Sequence, residues 1–299
     1  MFKNMVVYRI GPEWQASLTV IESSLQKLRF TPCGATQKQS VGWVEPRGMK
    51  HAPLAESIGG QYLLKLQVEQ RVLPGAVLKR RTEELARKVE DETGRKPGKK
   101  QTKELKEQAE LELLPMAFTK QSSINVWIDP SHHLLMLDTS SSARAEDVIT
   151  SLVKSLDGFA VSLLQTKDSA AVAMKEWLAS GEPPTYFTID RECELKSMDE
   201  MKSVVRYARH LLDTDEVKAH IVSGKMPTRL AMTWEGRVSF VLTESMQIKK
   251  LAFLDVVFEG NKPGKDEAFD ADAVIATTEM GKLIPDLVDA LGGELQLQQ

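Results

Sequence analysis

The sequence is poor in cysteine. Cys33 and Cys193 lie far apart and form no CxxC pair, so between them they make neither a disulfide framework nor a four-ligand zinc site. The simplest compartment for such a chain is the reducing cytoplasm. Long hydrophobic runs are missing too, and no stretch approaches the roughly eighteen apolar residues of a membrane span. Met1 to Gly11 has two basic residues but neither the apolar run nor the small-residue cleavage site of a signal peptide. Overall positive charge is also absent: 39 Lys+Arg against 42 Asp+Glu leave −3. By itself that balance argues against a polyanion as partner.

What is present is the composition of a globular protein, with 42% hydrophobic and 27% charged residues in 299 positions. That length holds one large domain or two to three ordinary ones. The small net charge hides a separation of signs. Residues 1–120 carry 21 Lys+Arg and 14 Asp+Glu, residues 121–299 carry 18 and 28, and residues 251–299 carry 3 and 10. A chain so divided can turn a cationic surface to a polyanion and stay soluble. Ordinary solubilising surface charge fits the same counts.

Met5 to Ile10 reads as a strand ended by Gly11-Pro12, and Trp14 to Leu28 as an amphipathic helix through Leu18, Ile21, Leu25 and Leu28. Val41 to Val44 is a short extended piece, and Gln61 to Val72 a long strand closed by Leu73-Pro74-Gly75. Residues 76–114 differ in kind, with 11 Lys+Arg, 9 Asp+Glu and no aromatic residue. One thin apolar stripe runs through Val77, Leu85 and Val89, another through Leu105, Leu111 and Leu114, and Gly94, Pro97 and Gly98 part them. This predicts a helical hairpin that projects as an arm, with too little apolar surface for a core of its own. Such an arm touches a partner subunit, nucleic acid or its own chain, or is simply solvated.

After Pro115, Ile124 to Asp129 and His133 to Asp138 read as a hairpin, Ala143 to Leu156 as a helix capped by Ser142, and Val161 to Leu164 as a strand. Ala170 to Ala179 is a short helix before Ser180-Gly181-Glu182-Pro183-Pro184, the clearest break in the chain. Beyond it Tyr186 to Asp190 and Ser203 to Leu212 are extended, and Thr214 to Ser223 is a capped helix. Three strands follow, Met226 to Trp234, Arg237 to Thr243 and Met246 to Phe258, the first two joined at Glu235-Gly236. A last helix, Ala273 to Leu291, stops at Gly292-Gly293. Hairpin links outnumber βαβ crossovers, so the class is α+β with mixed or antiparallel sheets, flanking helices and a projecting arm. The expected division is a central α+β domain (1–75 and 115–165), the arm (76–114) and a C-terminal α+β domain (166–299).

Catalytic patterns fare poorly. Gly94 to Thr102 has one residue too few between its glycines for a phosphate loop, lacks Ser or Thr after the first lysine, and joins two helices. Its Lys96, Lys99 and Lys100 read as a basic tip for DNA phosphates or as a solvated turn. Ser151 to Lys154 fits S-x-x-K without a companion motif. His132 and His133 on a strand would face opposite ways and share no metal. His210 and His220 flank a helix without the H-E-x-x-H pattern. No nucleophile–base pair stands out, and neither enzyme nor cofactor is expected.

The last third offers a different surface. Alternation puts Leu230, Met232 and Trp234 on one face with Val238, Phe240 and Leu242, and leaves Arg229, Ala231, Thr233, Arg237 and Ser239 opposite. With Arg206, Arg209, Lys225, Lys249 and Lys250, this describes a sheet with a packed back and a basic front of small residues. Such a front could follow phosphates without reading bases, or could be plain solvated sheet.

These residues carry a resemblance. Phe2-Lys3-Asn4 with Tyr8-Arg9, Phe30-Thr31-Pro32-Cys33-Gly34, Gly42-Trp43-Val44-Glu45-Pro46, Leu114-Pro115-Met116-Ala117-Phe118, Trp127-Ile128-Asp129, Phe269-Asp270-Ala271-Asp272 and Leu291-Gly292-Gly293-Glu294 occur in order along one chain. In them the sequence resembles the bacterial recombination-associated RdgC family over essentially its full length. The resemblance implies a cytoplasmic, nucleoid-associated protein, a ring-shaped homodimer that encloses double-stranded DNA with little sequence preference and restrains RecA-mediated exchange. It implies a basic inner surface, an acidic outside, an arm that reaches the other subunit, Phe118 at an apolar subunit contact, and DNA-facing cations around Arg206 and Arg209, with His210 beside them. Tyr207 and His210 depart from the small or polar residues that members can carry there, and the Gly94–Gly98 break interrupts the arm. A two-fold ring needs self-complementary contacts at two places. The expectation is the arm with Phe118 for one and an edge of the C-terminal sheet for the other. The alternative is a regulator that binds a recombinase mainly through its arm.

Overall fold

A computed structural model describes residues 2–259 and 268–295. Its strands are β1 (Val6–Ile10), β2 (Gln39–Val44), β3 (Ala55–Ile58), β4 (Gln61–Val72), β5 (Phe118–Asp129), β6 (Leu134–Leu137), β7 (Val161–Leu163), β8 (Phe187–Lys196), β9 (Val204–Ala208), β10 (Met226–Trp234), β11 (Val238–Thr243) and β12 (Ile248–Phe253). Its helices are α1 (Leu18–Gln26), α2 (Gly75–Thr93), α3 (Lys99–Leu113), α4 (Ser142–Ser155), α5 (Ala170–Ser180), α6 (Asp215–Val222) and α7 (Ala268–Ala290). The strands form two antiparallel sheets. The first has the order β2-β4-β5-β6-β1-β7, with β3 also on β4; the second is β12-β11-β10-β8-β9. The α+β expectation holds.

Local chemistry accounts for most boundaries. Glu235 and Gly236 both have positive φ (48° and 64°), the left-handed pair that a two-residue hairpin turn needs. Gly94 ends α2 in the left-handed region at φ 67°. Thr214 caps α6 by accepting the Val217 N–H. Other boundaries differ from the pattern. Ser141, not Ser142, caps α4, because its side chain reaches the Arg144 N–H. His132 and His133 lie in the β5–β6 turn and not on a strand: the buried Asp129 carboxylate accepts the Ser131 and His132 N–H groups and holds the His132 ring at 2.7 Å. β5 begins six residues before the expected Ile124, with polar side chains carried along by pairing to β4. β3 escaped notice because four residues give too little alternation. β8 runs on to Lys196, and β12 stops at Phe253 where Asp255–Phe258 forms a 3-10 turn.

One core, on one face of the first sheet, holds Trp43, Leu66, Ile124 and Val126 under α1 and α4. The other joins the opposite face (Leu63, Trp127, Met136) to the back of the second sheet and to α5, α6 and α7. The apolar alternation read in β10 and β11 is borne out, as Leu230, Met232, Trp234, Val238, Phe240 and Leu242 are all in this second core. The sheets are also tied at the N-terminus, where Met5 and Ile248 exchange main-chain hydrogen bonds and the Leu251 N–H donates to the Lys3 carbonyl.

Outside β2 the chain at Leu28–Phe30 exchanges hydrogen bonds with Trp43. A Cβ on Gly42 would stand 2.4 Å from the Phe30 Cα and 2.6 Å from its nitrogen. Two backbones would have to separate, so Gly42→Ala should destabilise the fold by about 3 kcal/mol, the upper end for overpacking. Chemical denaturation checks this, and Gly34→Ala, which meets only a glutamine side chain at 3.8 Å, is the control.

Candidate nucleic-acid interface

The arm is built as expected, though its seam differs. Leu85, Leu105 and Ala109 are buried between α2 and α3 with Leu78, Ala86 and Val89 alongside, whereas Leu111 points outward. Arg81 closes the pair on Glu112 and Glu84, and these hydrogen bonds strengthen its hold on the proton. The root of the arm is clamped. The Arg71 guanidinium donates to the Leu114 and Ala117 carbonyls (both 3.0 Å) and to Gly34 (3.1 Å), so one side chain ties the 30–34 and 114–118 segments together. Beside it buried Glu69 accepts from Gln121 (2.6 Å) and the Cys33 N–H (2.8 Å), bonds that lower its pKa. At this root Val72 and Phe118 pair across β4 and β5, and Phe118 (86% exposed) and Met116 (74%) stand in solvent.

At the far end Arg95, Lys96, Lys99 and Lys100 are exposed, and among the described residues none is within ion-pair distance of a carboxylate. Lys99 and Lys100 open α3, whose N-cap Gly98 supplies no side-chain bond. Cations at the positive end of a helix oppose its dipole, so their placement there works against the helix.

The front of the second sheet carries the expected cations with acids among them. Arg206, Glu194, Arg229 and Thr243 stand in one cross-strand row over β9, β8, β10 and β11. Arg206 donates to Glu194 at 2.5 Å, and that bond, with Thr228 and the nearby Arg229 charge, depresses the Glu194 pKa. Lys250, at a left-handed φ of 52°, reaches Glu192 of β8 at 2.6 Å. Lys249 is opposite Val241 on the same face, Lys225 precedes β10, and Arg209 follows β9 in the left-handed region. Among the described residues Arg209, Lys225, Arg229 and Lys249 have no ion-pair partner. The front is therefore a mixed face in which cations outnumber acids, and Glu192 and Glu194 were missed because nothing in sequence separates a front-face acid from any surface acid. Exposed His210 sets its Nδ1 2.6 Å from the Leu211 carbonyl.

Arg237, read toward this surface, faces elsewhere, as does Tyr207 between the cations of β9. Tyr207 is buried and donates to Glu216 of α6 at 2.9 Å, and burial pushes its hydroxyl up to about 12. Arg237 makes two bonds to buried Glu279 of α7, 2.7 and 2.6 Å long. It is one of several bolts on that helix. Arg47 pairs with Asp270 at 2.6 Å and lies 4.9 Å over the Phe269 ring, Arg9 pairs with Glu294 just beyond the helix, and Trp234 donates to Asp286 at 2.8 Å. Three of the ten acids in residues 251–299 are thus held in ion pairs, and a fourth, Asp286, accepts a hydrogen bond from Trp234.

For covalent chemistry the site offers little to describe. Burial pushes the Cys193 thiol up to about 12, leaving it protonated in the core. Among the described residues no three of His, Cys, Asp and Glu converge as metal ligands. No described helix is long and apolar enough to cross a membrane.

Comparison with known proteins gives a consistent answer. Residues 1–294 match a family described as "RdgC: Putative exonuclease, RdgC". The chain is 45% identical to a protein of Dechloromonas aromatica over 98% of each chain, 44% to one of Cupriavidus necator and 42% to one of Bordetella pertussis, both likewise over 98% of each. All three are named recombination-associated protein RdgC.

Proposed function

Since the chain belongs to the RdgC family, we propose that it binds double-stranded DNA without sequence preference, closes around it as a ring-shaped homodimer on the nucleoid, and limits RecA-mediated recombination by occupying the duplex. The observation that carries this reading is the arm tip. Among the described residues four cations have no carboxylate partner there, and two of them oppose the dipole of α3, an arrangement that an external polyanion would stabilise. Arg209, Lys225, Arg229 and Lys249 supply further unpaired cations over a sheet whose neighbours include Ala231 and Ser239, small enough for a phosphate backbone to approach. Arg206 and Lys250 can add to it by exchanging Glu194 and Glu192 for phosphate. Nothing in the arrangement reads bases, so backbone charge and enclosure do the holding.

The test is fluorescence anisotropy on two unrelated linear duplexes across a salt series. Equal affinities with a steep salt dependence are expected. Lys96→Ala, Lys99→Ala or Lys249→Ala should each flatten the slope by about one for every phosphate no longer neutralised, equally on both sequences. Absence of binding at low salt, or an effect confined to one sequence, overturns the reading. The words "Putative exonuclease" keep a second activity in view. Magnesium-dependent shortening of the duplex would replace binding by cutting. If deleting the arm spares DNA binding but abolishes inhibition of a recombinase, the arm docks on the recombinase instead.

A further inference from the structure

Where α7 lies against the first sheet an open cavity of about 240 Å³ remains. Trp127, Leu134 and Leu164 wall it on the sheet side, and Ile284, Pro285 and Val288 on the helix side. Gly281, Pro285, Val288 and Asp289 are spaced by three, four or one, so one stripe of α7 supplies that wall. The Trp127 indole N–H is already given to Gln61 at 2.7 Å, which leaves the ring to act as apolar surface. The walls are therefore apolar on both sides.

The polar groups that border the cavity are acceptors. Pro285 stands inside α7 and has no N–H to return to the carbonyl of Gly281, one turn earlier. Asp289, one turn later, is exposed, and among the described residues no cation is within ion-pair distance of it. On the sheet side the buried Asp129 carboxylate holds the His132 Nδ1 at 2.7 Å. A carboxylate can only accept, so in the neutral ring Nδ1 carries the proton and Nε2 presents a lone pair. The His132 side chain is 66% exposed, and among the described residues its Nε2 has no hydrogen-bond partner. Arg9 is the single cation bordering the cavity, and all three of its nitrogens are engaged, by Glu294 and by the His132 carbonyl. Once Arg9 and Glu294 cancel, Asp129 and Asp289 leave the cavity acidic.

We propose that this cavity binds a small organic cation, an ammonium or amidinium group carried on one ring or a short alkyl chain. The apolar walls take the body of the ligand. The Gly281 carbonyl, the Asp289 carboxylate and the His132 Nε2 receive its N–H donors, and the acidic surroundings favour its charge. An anion would meet those carboxylates with no free cation to answer it, and a neutral apolar molecule would cover acceptors without bonding them. Size sets the upper limit, because the cavity is smaller than the roughly 300–1,000 Å³ of sites for drug-sized ligands. The site shares no residue with the arm tip or with the front of the second sheet, so it stands whether or not those surfaces bind DNA.

The test is isothermal titration of the full chain, without DNA, with 2-phenylethylamine, its neutral counterpart 2-phenylethanol and its anionic counterpart 3-phenylpropionate. The amine should bind with a Kd on the order of 0.1–1 mM, ordinary for a ligand of so few atoms, and the other two about tenfold more weakly or not at all. Asp289→Asn and His132→Phe should each weaken the amine by about tenfold, the loss of one hydrogen bond to a charged group, and leave the alcohol unchanged. Val288→Phe should fill the cavity and remove binding altogether. Thermal melts check that each variant is folded; if Val288→Phe is not, the two polar variants decide. Absence of amine binding overturns the proposal, as does an alcohol that binds as well as the amine. Amine binding that survives both polar variants, or a folded Val288→Phe, overturns it equally, because the ligand then sits elsewhere.

Discussion

Replacing Arg237 with methionine is expected to cost about 3 kcal/mol of folding stability, measured by urea denaturation. Glu279 is buried on α7, and its carboxylate takes both bonds from that guanidinium. Removing one partner leaves an uncompensated charge in the core, at a cost of roughly 3–5 kcal/mol for buried pairs; the lower end applies because Arg237 is a third exposed. The same logic predicts recovery. Arg237→Met together with Glu279→Leu should regain most of the loss, since neither charge then needs a partner. If Arg237→Met leaves the denaturation midpoint where it was, the pair is not bolting α7 to the sheet. If instead it flattens the salt dependence of DNA binding at full stability, the arginine faces DNA as its sequence context first indicated.

The second large effect is at the root of the arm. Phe118→Asp should weaken self-association by about a hundredfold, the scale of an aromatic hot spot worth 2–3 kcal/mol. Phe118 is almost wholly exposed beside Val72 and Met116, so the fold itself should change by no more than about 0.5 kcal/mol. Sedimentation equilibrium and a thermal melt together separate the two. Under the proposed function, weaker DNA binding should accompany the weaker dimer, because a ring that encloses DNA must first close. The milder Phe118→Ala tests the same point: if it changes neither dimer nor DNA affinity, the aromatic does not hold the subunits together. Arg71 adds a structural reason for Phe118 to be well placed, since its bonds to Leu114 and Ala117 fix the chain just before it.

Short-range chemistry was legible in the amino-acid order. The arm followed from a charge-rich stretch with thin apolar stripes, and its turn from Gly94 and Gly98. β4 matched its expected span because Leu73-Pro74 ends it. The β10–β11 hairpin followed from Glu235-Gly236 and from alternation on both sides. In each case the cause lies within a few residues, so a local pattern suffices. Family membership was legible too, from short segments in fixed order, and the arm with its root turns out to bring two of those segments together through Arg71.

The candidate surface was legible only in part, and the limit is physical. A cation's role depends on which acid folding brings near it, and acids are too common for sequence to choose among them. Lys96, Lys99 and Lys100 keep free charges because, among the described residues, folding brings no carboxylate within ion-pair distance of the α2–α3 turn. Arg237 and Tyr207 do not stay free, because Glu279 and Glu216 reach them from separate elements. By itself, then, the sequence determined most of the elements but not β3 or the start of β5, together with the helical hairpin, the packed back of the second sheet and the family. Tertiary structure decided which charges remain unpaired among the described residues, and that the C-terminal helix is held by Arg47 from the loop after β2 and by Arg237 from the β10–β11 turn. Those outcomes depend on side chains up to 285 residues apart, as with Arg9 and Glu294, meeting within hydrogen-bond distance. Hydrogen bonds and ion pairs act over a few ångströms of space, and local sequence patterns carry no record of that distance.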